Sequence, residues 1–342
     1  MAVLSWNRPE KGGTEMRKAL LPLLLSGLLF AQVSMKQITY KGWTDSILLE
    51  RGDTRLAIVP SIGGRIMEFS IEGKNPIWQN PVEYGKVYPL TNVWHNYGGY
   101  KIWNSPQSVW GWPPDPFLDY GMASVELIDD GVRIYGAPSL KVGIMFIKEI
   151  TIPERGRARI VERMVNISGK EVRWGIWDVT QVETPCFVVF PAEGNSKFPE
   201  GLYFFNEQSR KSKQWKIKDG LVIANYLGEV GKIGLDSKAG WMLYLKDSLA
   251  YVKRFPVSKG QEYPDEGCSV EVYTNSKDLP YLEMEVLSPL VTLKPGEEYS
   301  TWEEWYIKIL ANPVRTEADI PSAIRELVLA GMLPWDALKF VP

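Results

Sequence analysis

The chain has 342 residues, enough for one large all-β domain or two ordinary ones. Hydrophobic residues make up 45% and charged residues 23%, the balance of a soluble globular protein, and the net charge is −2 with lysine and arginine scattered along the chain, so no concentrated basic patch supports nucleic-acid binding. One histidine, two cysteines and no Cys-x-x-Cys spacing exclude the usual zinc patterns, and no cofactor is expected.

In chain order, residues 1–15 read as an upstream extension before a true start at Met16. Met16-Arg17-Lys18 followed by the apolar run Ala19–Ala31 is the pattern of a signal peptide over 16–31. The run is too short for a comfortable membrane span, and a buried N-terminal helix is the competing expectation. The signal predicts export to the periplasm or beyond, with no membrane span left after its removal. In that oxidising space Cys186 and Cys268 could pair, but the sequence does not match them.

Residues 36–310 read as one all-β domain. Runs such as "RIMEFSIEG", "GVRIYG" and "RARIVERMVN" alternate apolar and polar residues and are separated by glycine-bearing turns, the pattern of antiparallel hairpins in a large sandwich. Residues 316–333 change period and predict a C-terminal helix packed on the sandwich, capped by Asp319 or Ser322 and ended at Gly331.

Aromatic residues reach 12%, with 14 tryptophans, and many crowd "NVWHNYGGYKIWNSPQSVWGWPPDPFLD", Asn92–Asp119, which also holds the single histidine, His95. Gly98-Gly99 allow positive φ or a close backbone approach to a ligand or another strand. Trp103, Trp110 and Trp112 offer flat faces to the C–H side of a pyranose, and Gln107 offers a donor and an acceptor. Asn96, Tyr97, Lys101, Asp115 and Asp119 are polar companions suited to hydroxyl groups. The plainer alternative is that the tryptophans plug one end of the sandwich. "RFPVSKGQEYPDEGCSVEVYTN" is a second aromatic and charged segment, from which Arg254 and Asp265 could reach the same cavity; a solvated hairpin competes with that expectation.

Three segments together resemble the galactose mutarotase-like (aldose 1-epimerase-like) superfamily: "LAIVPSIGGRIMEFSIEGKNPIW", "RMVNISGKEVRWGIWDVTQV" and "PYLEMEVLSPLVTLKPGEEYSTWEEWY". The 92–119 stretch is most similar to a bacterial branch of that superfamily whose function is unassigned. The resemblance implies a large antiparallel β-sandwich, or supersandwich, with a sugar site.

Mutarotation needs an acid and a base on opposite sides of one sugar atom. Glu283 matches the position of the family's catalytic glutamate, and Glu285, two residues on, shares its strand face. A solvated strand face with a salt-bridged glutamate is the competing expectation. The family's acid histidine has no counterpart: the aligned strand offers Trp177, Asp178, Thr180 and Gln181. His95 lies elsewhere, nearer to a second, substrate-binding histidine position. Trp177 and Gln181 therefore join the substrate-contact candidates, while Glu283, Glu285 and His95 are the catalytic ones. The expected function is carbohydrate binding in a mutarotase-like pocket, with epimerase-like isomerase chemistry left open. Against it stand an envelope protein whose aromatic loop meets a protein partner, and an accessory domain of a glycoside hydrolase or polysaccharide lyase. A partner surface predicts a flat aromatic patch, whereas a sugar site predicts a concave pocket.

Overall fold

The structure, a computed structural model, describes residues 32–192 and 194–341. The expected extension and signal segment lie outside the described residues. Two large antiparallel sheets face each other. The eleven-stranded sheet runs in the order Ser34–Tyr40, Trp43–Arg51, Thr54–Val59, Arg65–Ile71, Tyr100–Ser105, Val172–Glu183, Tyr281–Leu287, Val270–Thr274, Gly231–Leu235, Tyr203–Phe204, with Val291–Leu293 on the flank of Val172–Glu183. The nine-stranded sheet runs Trp215–Lys218, Leu221–Asn225, Phe187–Pro191, Trp241–Arg254, Glu298–Val314, Arg157–Asn166, Ile144–Glu154, Gly131–Tyr135, Ser124–Ile128.

The alternation seen in the sequence becomes a two-layer core. Leu56, Ile58, Phe69, Ile176 and Met284 of the larger sheet meet Ile150, Ile160, Tyr251, Trp305 and Ile307 of the smaller one, all essentially without solvent contact. The Trp305 ring sits 5.7 Å from Phe69 and 5.0 Å from Tyr100, tying the layers together at their centre.

The nine-stranded sheet is apolar on both faces. Val189, Leu243 and Val252 point outward and are covered by the helix Ile320–Leu329 through Ile324, Leu327 and Val328. The helix is preceded by a turn at Glu317–Asp319 with a reciprocal Thr316–Asp319 capping box, so Asp319 caps through its partnership with Thr316. Gly331, at φ 73°, follows its end. Among the described residues no helix is long and apolar enough to cross a membrane. Cys186 and Cys268 are both buried, free thiols, so the pairing considered from sequence does not occur here.

Candidate functional site

The outer face of the larger sheet, turned away from the partner layer, carries the candidate site. Strand register brings Trp103 beside Trp177, Lys101 beside Val179, Val179 beside Glu285, Gln181 beside Glu283, and Glu285 beside Glu271. Because neighbours alternate faces, Trp177 and Gln181 share this side while Asp178 and Thr180 turn into the sandwich.

The side chains form a bonded network. Lys101 Nζ lies 3.2 Å from Glu283 Oε1, and Gln181 Nε2 donates to the same oxygen at 2.9 Å. Trp177 Nε1 donates to Glu285 Oε2 at 2.7 Å. Lys232 Nζ lies 2.9 Å from that oxygen and 2.6 Å from Glu271 Oε2, with the Trp177 and Phe205 rings at 4.6 and 4.8 Å. Trp103 Nε1 donates to Asp119 Oδ1 at 2.9 Å, and the same oxygen pairs with Arg65.

Burial sets the electrostatics. The Glu271 side chain is 0% exposed, Glu285 1% and Glu283 12%. Loss of water raises the carboxyl pKa of Glu271 and Glu283, against the pull of Lys232 and Lys101 respectively. Burial alone would depress the Lys232 ammonium, but Glu271 and Glu285 outweigh it and hold the pKa above that of a free lysine.

Beside this network opens a cavity of about 1220 Å³. It lies between residues 106–111, which include Gln107, and the 257–267 segment, which includes Asp265; Lys232 lines it from the sheet. Its rings are Tyr203, Phe205 and Tyr263. Burial raises the Asp265 carboxyl, with Lys232 opposing. Asp265 and Glu266 adopt φ of 49° and 61°, left-handed values that cost energy for residues bearing a side chain and that cluster at functional loops.

The cavity corrects several expectations. Its rings are not the tryptophans of 92–119. Trp103 and Trp177 are 3% exposed and pack edge-on at 5.3 Å; Trp110 packs over both and donates to the Asn104 carbonyl. They form a small separate cluster on the outer face of the larger sheet, rather than a plug at one end of the sandwich. Trp112 is exposed but set against Trp94 at 5.0 Å. Tyr97 is fully buried with the Arg65 guanidinium over its ring, because the loop turns inward at Gly98; it is a core residue. Asp115 caps the short helix Pro116–Tyr120 by accepting from the Phe117 amide, and Asp119 is spent on Arg65 and Trp103.

Two more candidates lie apart from the cavity. His95 stacks on Tyr88 at 3.7 Å and meets Tyr120 edge-on, and the Asn96 carbonyl accepts from Asn80 Nδ2. Arg254 lies outside the site altogether. It is on the nine-stranded sheet with its guanidinium over Tyr306, while its neighbour Lys253 points into the sandwich.

That inward side of the site strand holds a second charged cluster. Asp178 meets Glu162 and Glu303, all buried, with carboxylate oxygens close enough to hold a metal ion. The cation among them is Lys253, paired to Asp178 and to Glu303 at 3.1 Å and bonded to Thr180 at 3.2 Å. Burial pushes Glu162 up to about 8.

The residues that reasoning from sequence missed are Lys232, Tyr203, Phe205 and Tyr263. The usable signal was "GKIGL": a lysine inside an otherwise apolar strand, between Gly231 and Ile233, is a buried charge that demands a partner.

A family model described as a domain of unknown function, DUF4380, matches residues 44–308. No curated protein matches this sequence. Among solved structures, an aldose 1-epimerase-like protein from Klebsiella pneumoniae superposes with a TM-score of 0.56 at 12% identity, over 87% of each chain. A mutarotase-like protein from Salmonella typhimurium reaches 0.54 at 10% identity, covering 82% of this chain and 95% of that one. An aldose 1-epimerase-like protein from Escherichia coli reaches 0.52 at 11% identity, over 81% and 100%. At such identities the likeness establishes the fold, a galactose mutarotase-like sandwich, which agrees with the resemblance of the three sequence segments.

Proposed function

From the premise that the chain belongs to the DUF4380 family and folds as a galactose mutarotase-like sandwich, we propose that it binds carbohydrate in the cavity beside Lys232. One observation carries this: a concave, mixed polar and aromatic cavity opens next to the sheet face on which Glu283, Glu285 and the tryptophans converge. A protein-docking surface would instead present its aromatic side chains as an exposed flat patch, and here most are buried.

We propose binding without anomeric chemistry. Mutarotation needs acid and base on either side of one atom. Glu283 is tied to Lys101 and Gln181, and the His95 ring is packed among tyrosines. Export, proposed from the apolar run at 19–31, is consistent with a role in capturing glycans outside the cytoplasm; cell fractionation tests it.

The test is a glycan and monosaccharide screen on the purified chain by tryptophan fluorescence and calorimetry. The best ligand is followed by NMR of anomer exchange with the protein and with its Glu283→Gln variant. Binding is expected, with exchange no faster than in buffer. Absence of any sugar binding overturns the proposal. Accelerated exchange that Glu283→Gln abolishes replaces it with a mutarotase.

A further inference from the structure

We infer that the cavity accepts an uncharged oligosaccharide of about three or more linked pyranose rings, rather than a single sugar; this rests on the carbohydrate proposal above and specifies its ligand. Size is the first ground. Pockets of roughly 300–1,000 Å³ enclose drug-sized ligands, and this one measures about 1220 Å³. A lone pyranose would leave most of the wall, and the water against it, unengaged.

Charge is the second. Four lysines line the cavity, Lys197, Lys232, Lys238 and Lys259, and so do four carboxylates, Asp236, Glu262, Asp265 and Glu266. Several are committed to protein partners: Lys232 to Glu271 and Glu285, Asp236 to Ser196 and the Lys197 amide, Glu262 to Arg173. The lining thus has no net sign with which to select a polyanionic or polycationic chain.

The third ground is the distribution of uncharged groups. Gln107 and Ser108 come from the short helix Gln107–Trp110, Ser258 and Gln261 from one loop, and Ser237 from another. Each hydroxyl or amide both donates and accepts, as sugar hydroxyls do. Tyr203, Phe205 and Tyr263 add ring surface for the C–H faces of pyranoses. Polar partners spread over three separate segments suit a chain that contacts them in succession.

The experiment is calorimetry of the purified chain with glucose and β-1,4-linked glucose oligomers of two to six units, with the same lengths of xylose and N-acetylglucosamine series, and with oligogalacturonates as an anionic arm. At least one neutral series should tighten tenfold or more from one to four units and then level off. Gln107→Ala, at a half-buried position, and Gln261→Ala, at an exposed one, should each weaken the tetramer severalfold without moving the melting temperature. A monomer that binds as tightly as the tetramer overturns the inference and leaves the carbohydrate proposal standing. So does exclusive binding of oligogalacturonate, weakened by salt. Length-dependent binding that neither variant affects places the chain elsewhere and also overturns it. Failure of every sugar, neutral or anionic, overturns both.

Discussion

Lys232→Met tests whether one ammonium holds the site together. Methionine keeps much of the lysine stem against Trp177 and Phe205 but removes the charge between Glu271 and Glu285, two cross-strand neighbours with essentially no solvent contact. Removing one partner of a buried ion pair costs about 3–5 kcal/mol, and the lost cation–ring contacts add about 0.5–1 kcal/mol. We therefore expect a loss of about 4 kcal/mol at pH 8. The sign with pH follows from Glu271, whose pKa is already raised above the usual 4.5 by burial and would rise further without Lys232. A carboxyl raised in the folded state favours folding most fully below its unfolded pKa, and that contribution is lost as pH rises through the folded value. The penalty should therefore be smaller at pH 5 than at pH 8, since protonation of the carboxyl removes the charge left without its partner. Urea unfolding followed by tryptophan fluorescence at the two pH values measures it. Adding Glu271→Gln should restore at least about 1.5 kcal/mol at pH 8, since one of the two carboxylates left without Lys232 is gone. A penalty under about 1 kcal/mol, or one equal at both pH values, would show that Lys232 does not carry the electrostatic balance of this face.

Three further outcomes are expected. Glu162, near 8 in the fold against 4.5 unfolded, contributes stability that is full below pH 4.5 and is lost as pH rises through about 8. Glu162→Gln should remove up to about 4 kcal/mol of that pH dependence in denaturant midpoints between pH 5 and 9. At Gly98, φ is +87° and an added Cβ would lie 2.4 Å from the Trp78 carbonyl oxygen, so Gly98→Ala should cost at least about 2 kcal/mol or prevent folding, read by thermal melting. Cys186 is buried with its pKa pushed up to about 12, and Cys268 is raised further by burial; a thiol reagent at pH 8 should label neither in the native chain and both in urea.

What could be read from the sequence, and what could not, follows from the range of the interactions involved. Strand periodicity is local, and it correctly implied a sandwich and a shared face for Glu283 and Glu285, because side chains two residues apart on a strand must point the same way. Phase is harder. Lys253 and Arg254 are adjacent, and a one-residue difference sends one into the core against Asp178 and the other out against Tyr306. Nothing in "VKRF" indicates which. Tyr97 illustrates a different limit: its loop looks exposed until the backbone, freed by Gly98, folds against the Trp78–Gln79 segment and carries the ring inward.

The tryptophan cluster shows why composition alone misplaces a site. Rings suited to sugar are equally suited to one another, and once Trp103, Trp110 and Trp177 bury their faces together they cannot also line a cavity. Their polar edges then decide what the cluster contributes. The Trp177 N–H fixes Glu285, and Glu285 fixes Lys232, so the cluster orients the one lysine of the sheet that faces the cavity. Lys101 pairs with Glu283 across 182 positions of sequence. Such partners depend on which strands become neighbours, and periodicity within any one strand carries no record of that. In the proposed reading the aromatic stretch and the late-strand carboxylates therefore lie beneath the binding surface, as the layer that positions it.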